Sequence, residues 1–278
     1  MGRCSTVLNQ LAFNLRRCLE NPERILPSVR MRLISTYNSA QERRYSSQAR
    51  NALAQLDARN VRSARVVQLA ELFEISTERV RSFESDLKRD REFAARLAER
   101  REEIRAAAAG TGTSDWIDCE TIYLVTRILR PKVVVETGVQ FGATSAYILL
   151  GMYHNATGYL HSIDLPWPGL PGLDQPLGIG YLVPNDLRSR WQLTLGDSKS
   201  VLPELLKMVR GVDMFNHDSV HTPEFMTWEY RTVWPYLGRG GVLASHDIRR
   251  HTAFQDYCKR NSADFTLIYN QGIARKPR

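Results

Sequence analysis

The feature that most constrains the fold of this 278-residue chain is the stretch 131–145, PKVVVETGVQFGATS. It contains three consecutive valines, 133–135, a run that is typical of a strand buried on both faces of a parallel sheet. An acid, Glu136, ends the run, glycines follow at 138 and 142, and the apolar run 146–150 indicates a helix. This order of strand, glycine loop and helix predicts a βα unit whose loop backbone and helix N-terminus face a ligand.

The spacing of the two glycines narrows the choice of ligand. A dinucleotide fingerprint would need glycines in place of Gln140 and Ala143, and a phosphate loop would need a Gly-Lys-Ser/Thr sequence. The pattern that remains, E-x-G-x-x-x-G over residues 136–142, resembles motif I of the class I S-adenosylmethionine (SAM) methyltransferases. The alternative is a plain tight turn in another Rossmann-like enzyme. The resemblance implies a cofactor site that contains Glu136, Thr137, Gly138, Gly142 and Ser145.

Two further predicted strands lead to acids. Residues 158–164, GYLHSID, are predicted to form the second strand, which ends at Asp164. An acid at the tip of this strand can accept hydrogen bonds from both ribose hydroxyls of a nucleoside cofactor. Residues 191–195 are predicted to form the third strand, before Asp197 and Ser198. The resemblance implies that Asp197 meets the adenine amino group, with Ser198 as a neighbouring contact or a helix cap.

The fourth and fifth predicted strands, 212–216 and 241–245, precede HDSVH and HD respectively. The run 221–241, HTPEFMTWEYRTVWPYLGRGG, resembles the DGDHSY…D…WP.L..GG segment of small SAM-dependent O-methyltransferases, near the cephalosporin hydroxylase and macrocin O-methyltransferase relatives. This resemblance covers about residues 114–278. The matching motif residues are Asp218, His221, Glu229 and Asp247. The chain departs from the motif at Val220, where the family has its second acid, and at His246, where it has the first acid of the later pair.

The resemblance implies methyl transfer to a hydroxyl, which needs a base close to the methyl group. We predict that His221 is this base, because Val220 replaces an acid and imidazole titrates near neutrality. His246 is the substitute base, Asp247 belongs to the same catalytic group, and Asp218 is also expected at the cofactor. The alternative role for His221 is to orient Asp218 without transferring a proton.

A magnesium ion is the second candidate cofactor. Metal-dependent members of the family hold magnesium with these acids, so the resemblance implies Asp218 and Asp247 as its ligands. His246 would be an unusual third ligand for a hard cation, which prefers oxygen.

The fold expected from these elements is an α/β, Rossmann-like, doubly wound sheet, mostly parallel with an antiparallel last strand. It spans residues 111–278 and follows a helical accessory region, 1–110. Residues 165–190 are rich in proline and glycine, and a connection of that length predicts a lid. Within and beside it, Trp167, Tyr181 and Trp191 offer flat surfaces for a sugar or aromatic acceptor, or anchor the lid by packing.

The net charge of +8 lies mostly in the helical region: residues 1–110 hold 21 Lys and Arg against 14 Asp and Glu, and residues 111–278 hold 17 against 16. Mixed charges of this kind indicate a solvated helical surface. We therefore expect no nucleic-acid partner, and a homo-oligomer through the N-terminal helices remains open. There are two alternatives to a methyltransferase. One is a DNA-binding regulator that uses a helix-turn-helix at 66–83 and senses SAM with its C-terminal domain. The other is an oxygenase-like relative.

The four cysteines lack the spacing of disulfides or metal sites, which favours a reducing compartment and hence the cytoplasm. No run of about 18 apolar residues occurs, so no membrane span is expected. Taken together, the sequence predicts a SAM-dependent methyltransferase that modifies a hydroxyl on a sugar, glycan or small natural-product acceptor.

Overall fold

The computed structural model describes residues 58–107, 116–166 and 178–278 of the chain. The helices are α1 (Ala58–Phe73), α2 (Thr77–Arg89), α3 (Arg91–Ala107), α4 (Trp116–Leu129), α5 (Ala143–Asn155), α6 (Ser198–Val209), α7 (Pro223–Val233) and α8 (Ala253–Arg260). The strands are β1 (Val133–Thr137), β2 (Tyr159–Asp164), β3 (Trp191–Leu195), β4 (Val212–His217), β5 (Leu237–Ser245), β6 (Asp264–Ile268) and β7 (Gln271–Arg275).

The seven strands form one sheet in the order β3-β2-β1-β4-β5-β7-β6. Strands β1 to β5 pair in parallel, and β7 runs antiparallel to both of its neighbours. The order reverses beside β1, which places the carboxyl ends of β1, β2 and β4 around one crevice. The predicted fold class is confirmed, and this edge of the sheet holds the residues of the candidate site.

Strand β1 lies at the centre of the sheet because its side chains are apolar on both faces. Val134 packs into a core with helices α4 and α5, whereas Val135 packs into a second core with α6, α7 and α8. Both valines are fully buried. The unbroken β-branched run therefore supplies the contacts that hold a helical layer on each face of the sheet.

Helices α1 to α3 pack on the sheet through the same core as Val134. Gln68 donates to the Leu267 main-chain oxygen at 3.2 Å, and Arg275 donates to that of Leu72 at 3.2 Å, so α1 is joined to β6 and β7. The helical region is interrupted at Ser76, the N-cap of α2, and again at Asp90, its C-cap. The division into two regions near residue 110 stays a prediction, since residues 108–115 lie outside the described ranges.

The end of the predicted lid is fixed to the body of the protein. Arg100 of α3 donates to the main-chain oxygens of Tyr181 and Val183 at 2.8 and 2.9 Å. Trp191 packs against Gly180, where an added Cβ would lie 2.1 Å from the indole ring, and its Nε1 donates to Ser162 at 2.9 Å. Trp191 thus has an anchoring role here, while Trp167 and the rest of 167–177 lie outside the described residues.

Among the described helices, none combines the length and the apolar character that a membrane crossing requires.

Candidate active site

The glycine loop after β1 lies against the loop after β4. Gly138 has a φ of +82°, and a Cβ added there would sit 2.0 Å from the main-chain oxygen of Asp218. Gly142 is the N-cap of α5, has a φ of +81°, and would bring a Cβ to 2.8 Å from Cα of Gly180. Both positions therefore require glycine for their backbone conformation and for a close main-chain neighbour.

Glu136 lies beneath this loop and is completely buried. Its Oε2 accepts hydrogen bonds from the hydroxyls of Ser145 and Ser162 at 2.6 and 2.8 Å, and its Oε1 faces Nδ2 of Asn216 at 3.4 Å. Burial raises the pKa of Glu136 to about 7, although the serine hydroxyls act in the opposite direction. The contacts join β1 to α5, β2 and β4, so Glu136 and Ser145 support the loop from below.

Asp164, at the tip of β2, holds the glycine loop from the other side. Its Oδ2 accepts from the main-chain N–H groups of Val139 and Gln140 at 2.9 and 2.7 Å. Its Oδ1 accepts from the N–H of Leu165 at 2.7 Å. Burial raises the pKa of Asp164, and the three main-chain donors partly oppose that effect. Asp164 lies where the sequence predicted a ribose contact, and it also fixes the shape of the loop.

Asp197 caps helix α6, where its side chain accepts from the N–H of Lys199 at 3.0 Å. The helix begins at Ser198, which is itself buried. The end of β3 lies beside Asp164, because Leu195 and Asp164 are partners in the register of β2 and β3. Asp197 is therefore at the same sheet edge as the glycine loop.

Two histidines and two aspartates meet where β4 and β5 end. His221 Nε2 faces Asp218 Oδ1 at 3.4 Å, and its Nδ1 faces Asp247 Oδ2 at 3.3 Å. His246 Nδ1 faces the same Asp218 oxygen at 3.1 Å. The sequence predicted that these four residues converge, and the structure brings them together. We call Asp218, His221, His246 and Asp247 the histidine–aspartate cluster.

Opposite charges hold this cluster together in a buried setting. Burial alone would raise the pKa of Asp218, but His246 and His221 hold it below its usual range. Burial alone would lower the pKa of His246, but Asp218 and Asp247 raise it well above its ordinary value. Asp247 also has a lowered pKa despite burial, because His221, His246 and Arg250 are close. The two aspartates are thus carboxylates, and the His246 imidazole carries the balancing charge.

Three residues that the sequence prediction did not include complete the cluster. Asp118 of α4 faces His246 Nε2 at 3.3 Å and accepts from the N–H of Asn270 at 3.1 Å. Arg250 pairs with Asp247 Oδ2, and the Asn270 side chain donates to Asp247 Oδ1. Asp118 had a sequence signal: it is an acid on the helix face that carries Ile122 and Val125, both fully buried.

A second buried group lies beneath the cluster. Glu229 of α7 is fully buried and accepts from the hydroxyls of Thr137 and Ser219 at 2.7 and 3.0 Å. Its Oε2 also lies 2.5 Å from Nδ1 of His217. Thr137 belongs to β1 and His217 to β4, so Glu229 fixes the start of both site loops. The sequence resemblance singled out Glu229, but it gave no physical role for it.

The cluster does not offer the ligands that magnesium prefers. Asp247, one of the two ligands implied by the sequence resemblance, directs its oxygens at His221, Arg250 and Asn270. The atoms that converge on one point are one carboxylate oxygen of Asp218 and one ring nitrogen each of His221 and His246. Magnesium takes oxygen ligands almost exclusively, so the residues present do not fit it.

A comparison with known families agrees with this geometry. Residues 135–248, from β1 to the end of the histidine–aspartate cluster, match the family model described as a methyltransferase domain. This part of the chain resembles a methyltransferase domain. The match begins inside the glycine-loop unit and ends just after Asp247. It confirms the sequence resemblance to the class I methyltransferases and the expectation of an enzyme that transfers methyl groups.

Several solved structures share the fold of this chain. The SAH-bound methyltransferase PaMTH1 of Podospora anserina is 11% identical, covers 66% of this chain and 88% of its own, and gives a TM-score of 0.50. The O-methyltransferase TomG of Streptomyces achromogenes, solved with SAM, is 11% identical, with 66% and 90% covered and a TM-score of 0.51. Cofactor-bound Rv0187 from MTB is 14% identical, with 65% and 89% covered and a TM-score of 0.51. No curated protein matches the chain.

Proposed function

We propose that this protein is a SAM-dependent methyltransferase that methylates a hydroxyl group of a small acceptor. The observation that carries the proposal is the contact between Gly138 and the main chain of Asp218. It places the loop expected to hold the cofactor directly beside a cluster of groups that can handle a proton. The family match over residues 135–248 and the SAM- or SAH-bound relatives of the same fold support the choice of cofactor.

The cofactor is proposed to lie across the glycine loop at the carboxyl edge of β1, β2 and β3. Asp164 is the contact for the ribose hydroxyls, because a carboxylate oxygen can accept more than one hydrogen bond. Asp197, at the N-terminus of α6, is the contact near the adenine. Glu136 and Ser145 act from beneath the loop, since Glu136 is completely buried and its carboxylate is occupied by hydroxyl donors.

The proton of the acceptor hydroxyl is proposed to leave through the histidine–aspartate cluster. Methyl transfer from a sulfonium is an in-line displacement, so the acceptor oxygen must lie behind the methyl group and lose its proton as it attacks. In the protein without a bound metal, His221 is the base, oriented by Asp247 at Nδ1 and close to Asp218 at Nε2. The carboxylates of Asp247 and Asp218 balance the positive charge that forms when His221 takes the proton, and His246 beside them is the substitute base.

The acceptor class follows from the sequence resemblance and covers several kinds of molecule. It comprises hydroxyls of sugars, glycans and small natural products. TomG, which shares the fold, is an O-methyltransferase involved in tomaymycin synthesis. We infer that the acceptor enters over the cluster, because this is the side of the glycine loop on which the proton-handling groups lie.

Incubation of the protein with methyl-labelled SAM and a fractionated extract of its own cell tests the proposal. The expected result is label in a small molecule or glycan through an ether linkage, and its loss when Gly138 is replaced by valine. Label in protein or nucleic acid would overturn the acceptor class. Failure of the folded protein to bind SAM would overturn the methyltransferase proposal and favour an oxygenase-like relative.

A further inference from the structure

The geometry of the histidine–aspartate cluster points to a binding site for a divalent transition metal of the zinc type, formed by Asp218 Oδ1, His221 Nε2 and His246 Nδ1. Each of the three residues offers one ligand atom, and these atoms all lie within 4.8 Å of one another. The Asp218 oxygen lies 3.4 Å from the His221 nitrogen and 3.1 Å from the His246 nitrogen. Ligands at about 2.1 Å from a tetrahedral ion are about 3.4 Å apart, so small side-chain movements would admit the metal.

The outer nitrogens of both rings support this assignment. A histidine that binds a metal through one ring nitrogen usually donates the other N–H to a carboxylate or a carbonyl. His221 faces Asp247 with its outer nitrogen, Nδ1, at 3.3 Å. His246 faces Asp118 with its outer nitrogen, Nε2, also at 3.3 Å. Both rings are therefore already oriented with one nitrogen towards Asp218 and the other towards a carboxylate.

The carboxylates behind the histidines are themselves held in place. Asp118 accepts from the main-chain N–H of Asn270 at 3.1 Å, and Asp247 is bonded to the Asn270 side chain and to Arg250. Asn270 lies in the turn between β6 and β7, so one residue joins both supporting acids. A support of this kind fixes ring orientation and increases the basicity of the ligating nitrogens.

The donor set selects the kind of metal. Two imidazoles and one carboxylate suit zinc, iron(II), cobalt(II) or nickel(II), whereas magnesium and calcium prefer oxygen ligands throughout. Three protein ligands on a tetrahedral ion leave a fourth position for water or a small molecule. The assignment differs from the magnesium site that the sequence resemblance implies, because it uses both histidines and leaves Asp247 as a support for His221.

Metal binding and the base role of His221 exclude each other, because both need the Nε2 atom. The inference concerns the same cluster as the proposed function, but it does not require methyl transfer. It is tested with metal alone, in the absence of SAM and acceptor. A failure to bind metal therefore leaves the proposed function standing, and a failure to bind SAM leaves the metal site standing.

The experiment uses the full chain after treatment with a chelator and removal of the chelator. Cobalt(II) chloride is titrated in, and the visible d–d absorption of the protein-bound ion is recorded. Zinc is then added to displace cobalt, and zinc and magnesium are each titrated by calorimetry into the metal-free protein. We expect one cobalt per chain with the strong absorption of a four- or five-coordinate ion, displacement by zinc, and no competition from magnesium.

Single substitutions identify the ligands. Asp218→Asn, His221→Gln and His246→Gln should each weaken cobalt binding at least about tenfold, and Asp118→Asn should weaken it about 10- to 100-fold through His246. The matched control is His161→Gln, a half-buried histidine on β2 outside the cluster, which should bind cobalt as the wild type does. Circular dichroism and thermal unfolding of each metal-free variant separate loss of ligand from loss of fold.

Three results would overturn the inference. The first is a folded wild type that binds neither cobalt nor zinc. The second is cobalt binding that is unchanged in the folded His246→Gln and Asp118→Asn variants, or that shows thiolate charge-transfer bands and therefore belongs to cysteines. The third is magnesium binding as tight as zinc binding, which would indicate that the metal is held by oxygen ligands.

Discussion

Gly138 and Asp218 are in main-chain contact: a Cβ added to Gly138 would lie 2.0 Å from the carbonyl oxygen of Asp218 and 2.7 Å from the nitrogen of Ser219. The contact joins the loop after β1 to the loop after β4, which carry different parts of the proposed reaction. Any side chain at position 138 must therefore separate the proposed cofactor loop from the histidine–aspartate cluster.

Replacement of Gly138 by alanine should weaken cofactor binding and lower the free energy of unfolding by at least about 2 kcal/mol. The cause is the combination of a φ of +82° with a clash against main-chain atoms that have no alternative rotamer. The measurements are chemical denaturation and calorimetry with SAH. Gly211→Ala is the matched control, because a Cβ there would meet nothing within 4 Å. Equal effects of the two substitutions would contradict the account of the loop contact.

Asp164→Ala should weaken SAM binding by about 1–3 kcal/mol. The substitution removes the proposed ribose acceptor and leaves the N–H groups of Val139 and Gln140 without their carboxylate partner. The measurement is a comparison of SAM with methionine by calorimetry, since methionine lacks the ribose. A variant that binds SAM as tightly as the wild type would remove Asp164 from the cofactor site.

Glu136→Gln should change how stability depends on pH. The pKa of Glu136 is raised from 4.5 to about 7, so the folded state favours the protonated form. Protonated Glu136 makes its full contribution to the free energy of unfolding below about pH 4.5. This contribution is lost as the pH rises towards 7, which lowers the free energy of unfolding by at most about 3 kcal/mol. Glutamine stays neutral, so the variant should lose less stability than the wild type between pH 5 and 7. Denaturant unfolding at several pH values measures this, and Glu204→Gln on the exposed face of α6 serves as the control.

A curve for Glu136→Gln that runs parallel to the wild type across pH 5–7 would show that Glu136 is already ionised in the folded protein at pH 5. Asn216 can accommodate the new amide, because its side-chain oxygen lacks a hydrogen-bond partner among the described residues and can face the glutamine NH₂ after a rotation of the Asn216 amide.

His221→Ala should lower the rate of methyl transfer by about 10²–10⁴-fold once an acceptor is known, since a positioned proton acceptor contributes this much. Asp218→Asn should lower the rate as well, because Asp218 lies beside both histidines. Rates are measured under single turnover, with and without a chelator. If a chelator lowers the wild-type rate, the metal-bound form of the protein is the one that removes the proton. A fully active His221→Ala variant would contradict the proposed role of His221 as the base.

The sheet and the proposed cofactor residues could be predicted from sequence because their signals are local. The valine run 133–135 specifies a strand buried on both faces, and Glu136, Asp164 and Asp197 stand at strand ends whose order along the chain fixes their common edge. The interruption between α2 and α3 at Asp90 could also have been predicted from the sequence. Its side chain accepts from the N–H of Phe93 at 3.0 Å, which is a helix-capping contact three residues apart.

The supporting residues of the cluster could not be placed in the same way. Asp118 precedes β1 and meets His246 only after α4 has packed against the sheet. Asn270, in the turn between β6 and β7, contacts both Asp118 and Asp247. These three residues are far apart in the sequence. The ligand choice also depends on which nitrogen of each imidazole faces Asp218, and a sequence carries no information on ring orientation.

The central claim is that the loop between β1 and α5 binds the SAM cofactor beside the histidine–aspartate cluster. Titration calorimetry of the folded wild type with SAH tests it most directly. The account predicts saturable binding of one SAH per chain, lost in Gly138→Val and kept in Gly211→Ala. Absence of binding by the folded wild type, or undiminished binding by a folded Gly138→Val variant, would contradict the claim.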